Sequence, residues 1–123
     1  MVLKKWGGVE YESGIYNVLE DNIKKLNLRQ MNQIETYCCD ATTLTTELDG
    51  YNYFFLFHPF DEVICEKVFA EICNSMDRKK RKVRLILVYP TAWKEALNTG
   101  RFRLIAQMGV DLYQRAVDIF ESI

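Results

Sequence analysis

The chain has 123 residues, 49% apolar and 13% aromatic, with 16 basic and 17 acidic side chains for a formal charge of -1. That composition excludes a disordered chain, and the length allows one domain with a real core but is short for a complete doubly wound enzyme. The charge gives no bulk pull toward nucleic acid or an anionic membrane, and the longest apolar runs, "YFFLF" and "LILVY", are strand-sized rather than bilayer-spanning.

In chain order, Trp6 to Val9 read as a strand that ends on the acidic Glu10. A helix follows, with Ser13 as its cap and Ile15, Val18, Leu19, Ile23 and Leu26 at helical spacing. Lys24 and Lys25 sit in its last turns, where cations suit the dipole. "QIETYCCD" (33–40) is β-branched and alternating, which predicts a strand closed by Asp40. A short helical or turn segment covers "TTLTTEL", and Asp49-Gly50 marks a turn.

"YNYFFLF" (51–57) is nearly all aromatic and apolar, the pattern of a strand buried on both faces of a parallel sheet. "HPF" breaks it. Asp61 then caps a long helix with Val63, Ile64, Val68, Ile72 and Met76 along one side. "KVRLILVYP" (82–90) predicts another buried strand, and a short helix over "TAWKEAL" stops at Gly100. "FRLIAQM" and "LYQRAVDIF" flank "GVD" as a tight antiparallel hairpin.

Strands alternating with helices imply a parallel sheet with helices on both faces. The closing hairpin adds antiparallel strands at one edge. The expected fold is an α/β three-layer sandwich: a mostly parallel, doubly wound sheet with a C-terminal antiparallel hairpin, in a single domain over residues 1–123.

Ligands of open α/β sheets bind outside the carboxyl ends of the strands. Glu10, Asp40 and His58 fall at such ends. Each has a plainer alternative, since an acidic residue after a strand commonly caps the next helix and a lone histidine is commonly a turn or core residue. Their shared rim favours a site. A strand ending in a carboxylate that leads straight into a helix is how the second strand of a nucleotide-binding sheet ends, with the acid for a ribose hydroxyl. That pattern expects a glycine-rich turn about 20 residues earlier, yet only nine residues precede Glu10.

"GGVEYESGIYNVLEDNIKKLNL", "IETYCCDAT", "YNYFFLFHPF" and "KVRLILVYP", in that order, resemble the class I S-adenosylmethionine-dependent methyltransferase fold, a Rossmann-like domain. The likeness is greatest to small bacterial members carrying "GVE", "DA" and "NPF" at these points, and the terminal "FRLIAQM…LYQRAVDIF" is similar to that family's reversed hairpin. The resemblance implies S-adenosylmethionine as cofactor. Glu10 matches the acid that holds the ribose hydroxyls, and Tyr11 would lie beside the adenine. Asp40 and Ala41 match the "DA" pair, with Asp40 accepting from the adenine amino group. His58, Pro59 and Phe60 match the segment lining the methyl-acceptor side of the pocket.

The sequence departs from that family twice. His58 stands where the family has Asn or Asp, and neutral imidazole accepts one hydrogen bond without reproducing the amide's geometry. The family's first strand, glycine-rich turn and following helix have no counterpart in these residues. The expectation is therefore a truncated methyltransferase domain, inactive alone, with weak or absent S-adenosylmethionine binding and an unnamed methyl acceptor. In the family the missing strand lies between the strand ending at Glu10 and strand 51–57. Closing that slot calls for association, as a homodimer or with a separate N-terminal segment.

The alternatives are a non-catalytic α/β interaction module that kept the scaffold and lost the cofactor, or another nucleotide-binding α/β domain. "DRKKRK" (77–82) reads as a solvated helix end, and Trp93 with Leu97 as a helix face packed on the sheet. Cys38, Cys39, Cys65 and Cys73 form no C-x-x-C and share one histidine, so they read as small hydrophobes in a reducing compartment; a Cys65–His58 nucleophile pair has no orienting third group. Residues 1–20 contain no apolar run to act as a signal peptide, so a cytoplasmic location is expected.

Overall fold

A computed structural model describes residues 5–27, 33–57, 62–88, 93–109 and 117–123. The described residues form a mixed α/β protein with three helices and two open sheets, divided into compact units at Met1–Leu44 and Thr45–Ile123. The expected single sheet is thus two sheets, and no described strand joins them. No helix of the described residues is long and apolar enough to cross a membrane.

The first unit is a βαβ arrangement. Strand β1 (Lys5–Glu10) pairs in parallel with β2 (Gln33–Cys38), and helix α1 (Ser13–Lys25) connects their order. Gly8 lies under the helix, where an added Cβ would sit 3.8 Å from Leu19. Helix α1 turns Tyr16, Leu19, Glu20 and Ile23 inward, but Ile15, Val18 and Leu26 of the expected stripe are exposed, because two strands cover only a narrow face. The seam is partly polar. Tyr16 shares a 3.0 Å hydrogen bond with Thr36 Oγ1, which donates to Glu20 Oε1.

The cap of α1 is Glu12, not Ser13. Glu12 Oε2 accepts from Ile15 N at 2.6 Å, and these backbone bonds, Ile15 first, hold its carboxyl below the usual range. Serine has the better intrinsic cap propensity, but Gly14 lets the longer side chain fold over the helix end: a Cβ there would meet Glu12 Oε2 at 3.0 Å. The helix stops at Asn27, which takes the left-handed conformation (φ 51°) after Leu26 N bonds Asn22 O.

The second unit opens with a 3₁₀ turn, Thr46–Gly50, followed by β3 (Tyr53–Phe57), α2 (Glu62–Arg78), β4 (Arg84–Val88), α3 (Trp93–Asn98), β5 (Phe102–Met108) and β6 (Val117–Ser122). Its sheet runs β3-β4-β6-β5: β3 and β4 are parallel, and β6 lies antiparallel between β4 and β5. The β5–β6 pair is antiparallel as expected, and its register sets Met108 against Val117. Residues 110–116 lie outside the described residues, as does the expected cap Asp61.

Cross-strand partners share a face, and one face carries Leu56, Leu87 and Asp118 in one row and Leu85 and Phe120 in the next, all buried. Above them α2 buries Cys65, Val68, Phe69, Ile72 and Met76, while Val63, expected on that side, is exposed. The other face differs from expectation. Phe55 is 64% exposed and Tyr53 41%, so β3 is buried on one face only. Helix α3 ends as read from the sequence: Gly100 adopts φ +69° and its N–H bonds Leu97 O. All four cysteines are free thiols, of which Cys65 alone is buried and Cys38 is exposed.

The basic run is more than a solvated end. Arg81 donates from Nε to Tyr51 O (2.9 Å), from Nη2 to Leu48 O (3.0 Å) and Ser75 Oγ (2.9 Å), and from Nη1 to Lys79 O (2.8 Å). One planar guanidinium thus ties carbonyls of the 3₁₀ turn and of the end of α2 together. Beside it Arg78 binds Asp49 with Nη2 at 3.0 Å. On the other face of the sheet Glu121, itself buried, collects Arg84 at 3.0 Å, Arg103 at 3.3 Å and Lys82 at 3.5 Å.

These pairs set an acid limit. The Arg78 guanidinium, then Ser75, holds the Asp49 carboxyl below its usual range, and Arg84 does the same for Glu121. A carboxyl depressed in the native state contributes stability above its unfolded value of about 4, and that stability is lost as pH falls through the lower native value. The melting temperature should stay level from about pH 7 to 5 and fall below about pH 4. The double variant Asp49→Asn/Glu121→Gln should melt lower at neutral pH and lose much of that acid dependence. An unchanged acid slope would remove both pairs from the account.

Candidate functional site

The carboxyl ends of β1 and β2 form the candidate site. Glu10 is in register with Cys38, and Cys39 N donates to the Glu10 carbonyl at 3.1 Å. Adjacent strands lie about 4.8 Å apart, so the two strand ends open side by side. Strand β2 stops at Cys38 rather than running to Asp40. Asp40 instead caps the 3₁₀ turn Ala41–Thr43, with Oδ1 accepting from Thr42 N at 2.9 Å and from Thr42 Oγ1 at 2.8 Å. Its carbonyl accepts from Thr43 N at 3.0 Å and from Thr43 Oγ1 at 2.7 Å.

Glu10 does similar local work with half of its carboxylate. Oε1 accepts from Glu12 N at 3.1 Å, fixing the turn between β1 and α1, while Oε2 has no hydrogen-bond partner among the described residues. Tyr11 is 77% exposed and Ala41 is half-buried. The structure therefore brings Glu10, Tyr11, Asp40 and Ala41 to one end of one two-stranded sheet. His58, Pro59 and Phe60 lie outside the described residues.

Sequence reasoning did not name Glu12 and Thr42, the residues that fix how Glu10 and Asp40 are presented. The signal was available in principle, since a carboxylate two residues before a backbone N–H in a turn is an Asx-type pattern. It also passed over the buried acids of the second unit, two of which keep an unpaired oxygen among the described residues. Asp118 and Glu95 are 3% and 7% exposed, each with one carboxylate oxygen lacking a hydrogen bond in the described residues. Asp118 could have been flagged as a charge at an inward position of the alternating "VDIF".

A cavity of about 250 Å³ is lined by Met76, Asp77, Lys80, Arg81, Arg101, Ser122 and Ile123. It sits beside Ser122, past the β6 residue that pairs with Arg84 at the amino end of β4. That is the opposite end from the one at which open α/β sheets take ligands. Arg101 there is already paired with Asp77 at 2.9 Å. Among the described residues no three His, Cys, Asp or Glu side chains group to hold a metal.

By its fold the chain is a mixed α/β protein whose two-stranded parallel sheet has Glu10 at the end of one strand and Asp40 two residues past the end of the other. No protein-family model matches the chain, and no curated protein matches it in sequence.

Proposed function

We propose that the chain is an S-adenosylmethionine-dependent methyltransferase-type domain whose residues hold the nucleoside half of the cofactor. The observation that carries the reading is the position of Glu10 at the carboxyl end of β1 and of Asp40 two residues past the adjoining end of the parallel strand β2. The strand order β3-β4-β6-β5 also supports it, because the last strand returns antiparallel inside a parallel arrangement, as a reversed hairpin requires.

The acceptor set fits a nucleoside. Glu10 Oε2 is a carboxylate oxygen with no bond among the described residues, suited to a ribose hydroxyl. Asp40, whose Oδ1 accepts from Thr42 N and Thr42 Oγ1, is in this reading the carboxylate facing the adenine amino group. Tyr11 supplies an exposed ring beside the pair for the base. S-adenosylmethionine, when bound, supplies an electrophilic methyl group on a sulfonium. His58, Pro59 and Phe60 would border the acceptor, whose positioning in line with that methyl supplies most of the rate. These 123 residues contain no "DxGxGxG" turn, so the methionine end has no backbone cradle here.

The second reading is a non-catalytic module, and the local hydrogen bonds of Glu10 and Asp40 favour it, since each acid already has a turn to hold. Photo-crosslinking with an azidoadenosine separates the two. The nucleoside reading expects label on the peptide containing Tyr11 or on residues 39–42, competed by S-adenosylhomocysteine and adenosine alike. Label elsewhere, or none, favours the module. Competition by a nucleoside triphosphate but not by S-adenosylhomocysteine favours a different nucleotide-binding domain.

A further inference from the structure

Four described strands end a sheet: β1 and β2 of the first, β3 and β5 of the second. Native sheets blunt such edges with charge, glycine or a bulge. β1 carries Lys5, Glu10 and the Gly7-Gly8 pair, and β2 carries Glu35. β5 carries Arg103 and a register shift between Leu104 and Ala106. β3, "YFFLF", has none of these devices. Its central Phe55 is 64% exposed while the next residue, Leu56, is 8% exposed, so the strand's two faces are fixed.

We propose that β3 pairs antiparallel with β3 of a second copy, joining two four-stranded sheets edge to edge. Charge argues for that occupant. β3 is neutral, and Arg84, beside Tyr53 on the neighbouring strand, is committed to Glu121 at 3.0 Å. Nothing along this edge selects a charged partner, whereas a second copy offers the same neutral strand. A two-fold contact is self-complementary. Centred on Phe55, it sets Phe55 against the partner's Phe55 and Phe54 against the partner's Leu56, which keeps exposed faces together and buried faces together. A slip by one residue would exchange them.

The area sets the strength. With aromatic side chains burying roughly 200 Å² each, Phe55 at 64% exposure and Tyr53 at 41% bring at most about 130 and 80 Å² per copy. Backbone pairing adds to this, but the total stays below the roughly 800 Å² per partner of a standard interface. The dimer is therefore weak and reversible. The proposal does not rest on the nucleoside reading of Glu10 and Asp40.

Sedimentation velocity on the full chain decides it. At about 1 μM the mass should be the monomer's 14.5 kDa, and at a few hundred micromolar it should approach twice that. Phe55→Lys, a charge at an exposed strand position, should hold the chain monomeric throughout with an unchanged circular dichroism spectrum. Leu104→Lys, on the bulged edge, should leave association intact. Hydrogen exchange of unmodified protein gives an independent reading: amides of residues 53–57 should gain protection as concentration rises. A chain monomeric at every concentration, a dimer that survives Phe55→Lys, or β3 amides protected equally at 1 μM would each overturn the proposal.

Discussion

Replacing Phe69 by alanine should lower the unfolding free energy of the Thr45–Ile123 unit by about 3–5 kcal/mol. The side chain is 0% exposed at the middle of α2, with Ile72 on its next turn equally buried and Leu85 and Phe120 at 0% and 1% on the sheet. Removing its ring takes away apolar burial and leaves a cavity that neighbouring elements cannot close without moving the helix. Domains are stable by only about 5–15 kcal/mol, so the variant should sit near the edge of folding. Phe55→Ala is the matched control. The same residue type at 64% exposure should change stability by about 0.5 kcal/mol or less when measured at low concentration. Urea unfolding at 25 °C reads both, and a loss below about 1.5 kcal/mol for Phe69→Ala would show that α2 is not seated on the sheet.

Phe69 also marks where the sequence became hard to read. The strands were legible because "QIETYC", "YFFLF" and "RLILV" are short, β-branched or aromatic, and bounded by turn residues. In α2, apolar residues at Val63, Ile64, Cys65, Val68, Phe69 and Ile72 support two neighbouring stripes. Only the position of the sheet selects the one through Cys65 and Phe69. The two-sided burial expected of β3 failed for a related reason. Both faces are apolar in sequence, but whether a face is covered depends on what packs there. At α1, cap propensity pointed to Ser13, whereas the longer Glu12 wins because Gly14 admits its carboxylate. Glu10 and Asp40 were legible as acids at strand ends. Their bonds to Glu12 and Thr42 were not, because a turn hydrogen bond leaves the same sequence trace as a ligand contact.

Those local bonds make Asp40 the residue on which cap and ligand roles can be separated. Asp40→Ser should keep the 3₁₀ turn, since serine and aspartate are comparable caps and both reach a backbone N–H two residues on. It should nevertheless lose the charge and reach needed for an adenine amino group. Losing one charge-assisted bond costs about 1.5–3 kcal/mol, or roughly 10- to 100-fold in nucleoside affinity. Asp40→Ala should lose the same affinity and about 1 kcal/mol of stability in addition. If Asp40→Ser binds nucleoside as the unaltered chain does, Asp40 is a turn cap and nothing more.

The central claim, that these residues read the nucleoside and not the methionine end, is tested most directly by nuclear magnetic resonance. The 123-residue chain would be titrated separately with adenosine, S-adenosylhomocysteine and S-adenosylmethionine. The account predicts weak binding of about millimolar strength for all three, within about threefold of one another, because the contacts offered are a couple of charge-assisted hydrogen bonds of about 1.5–3 kcal/mol each. Amide shifts should centre on Glu10, Tyr11 and residues 39–42. Micromolar binding that requires the methionine end, or no shift at those amides at 10 mM nucleoside, would contradict it.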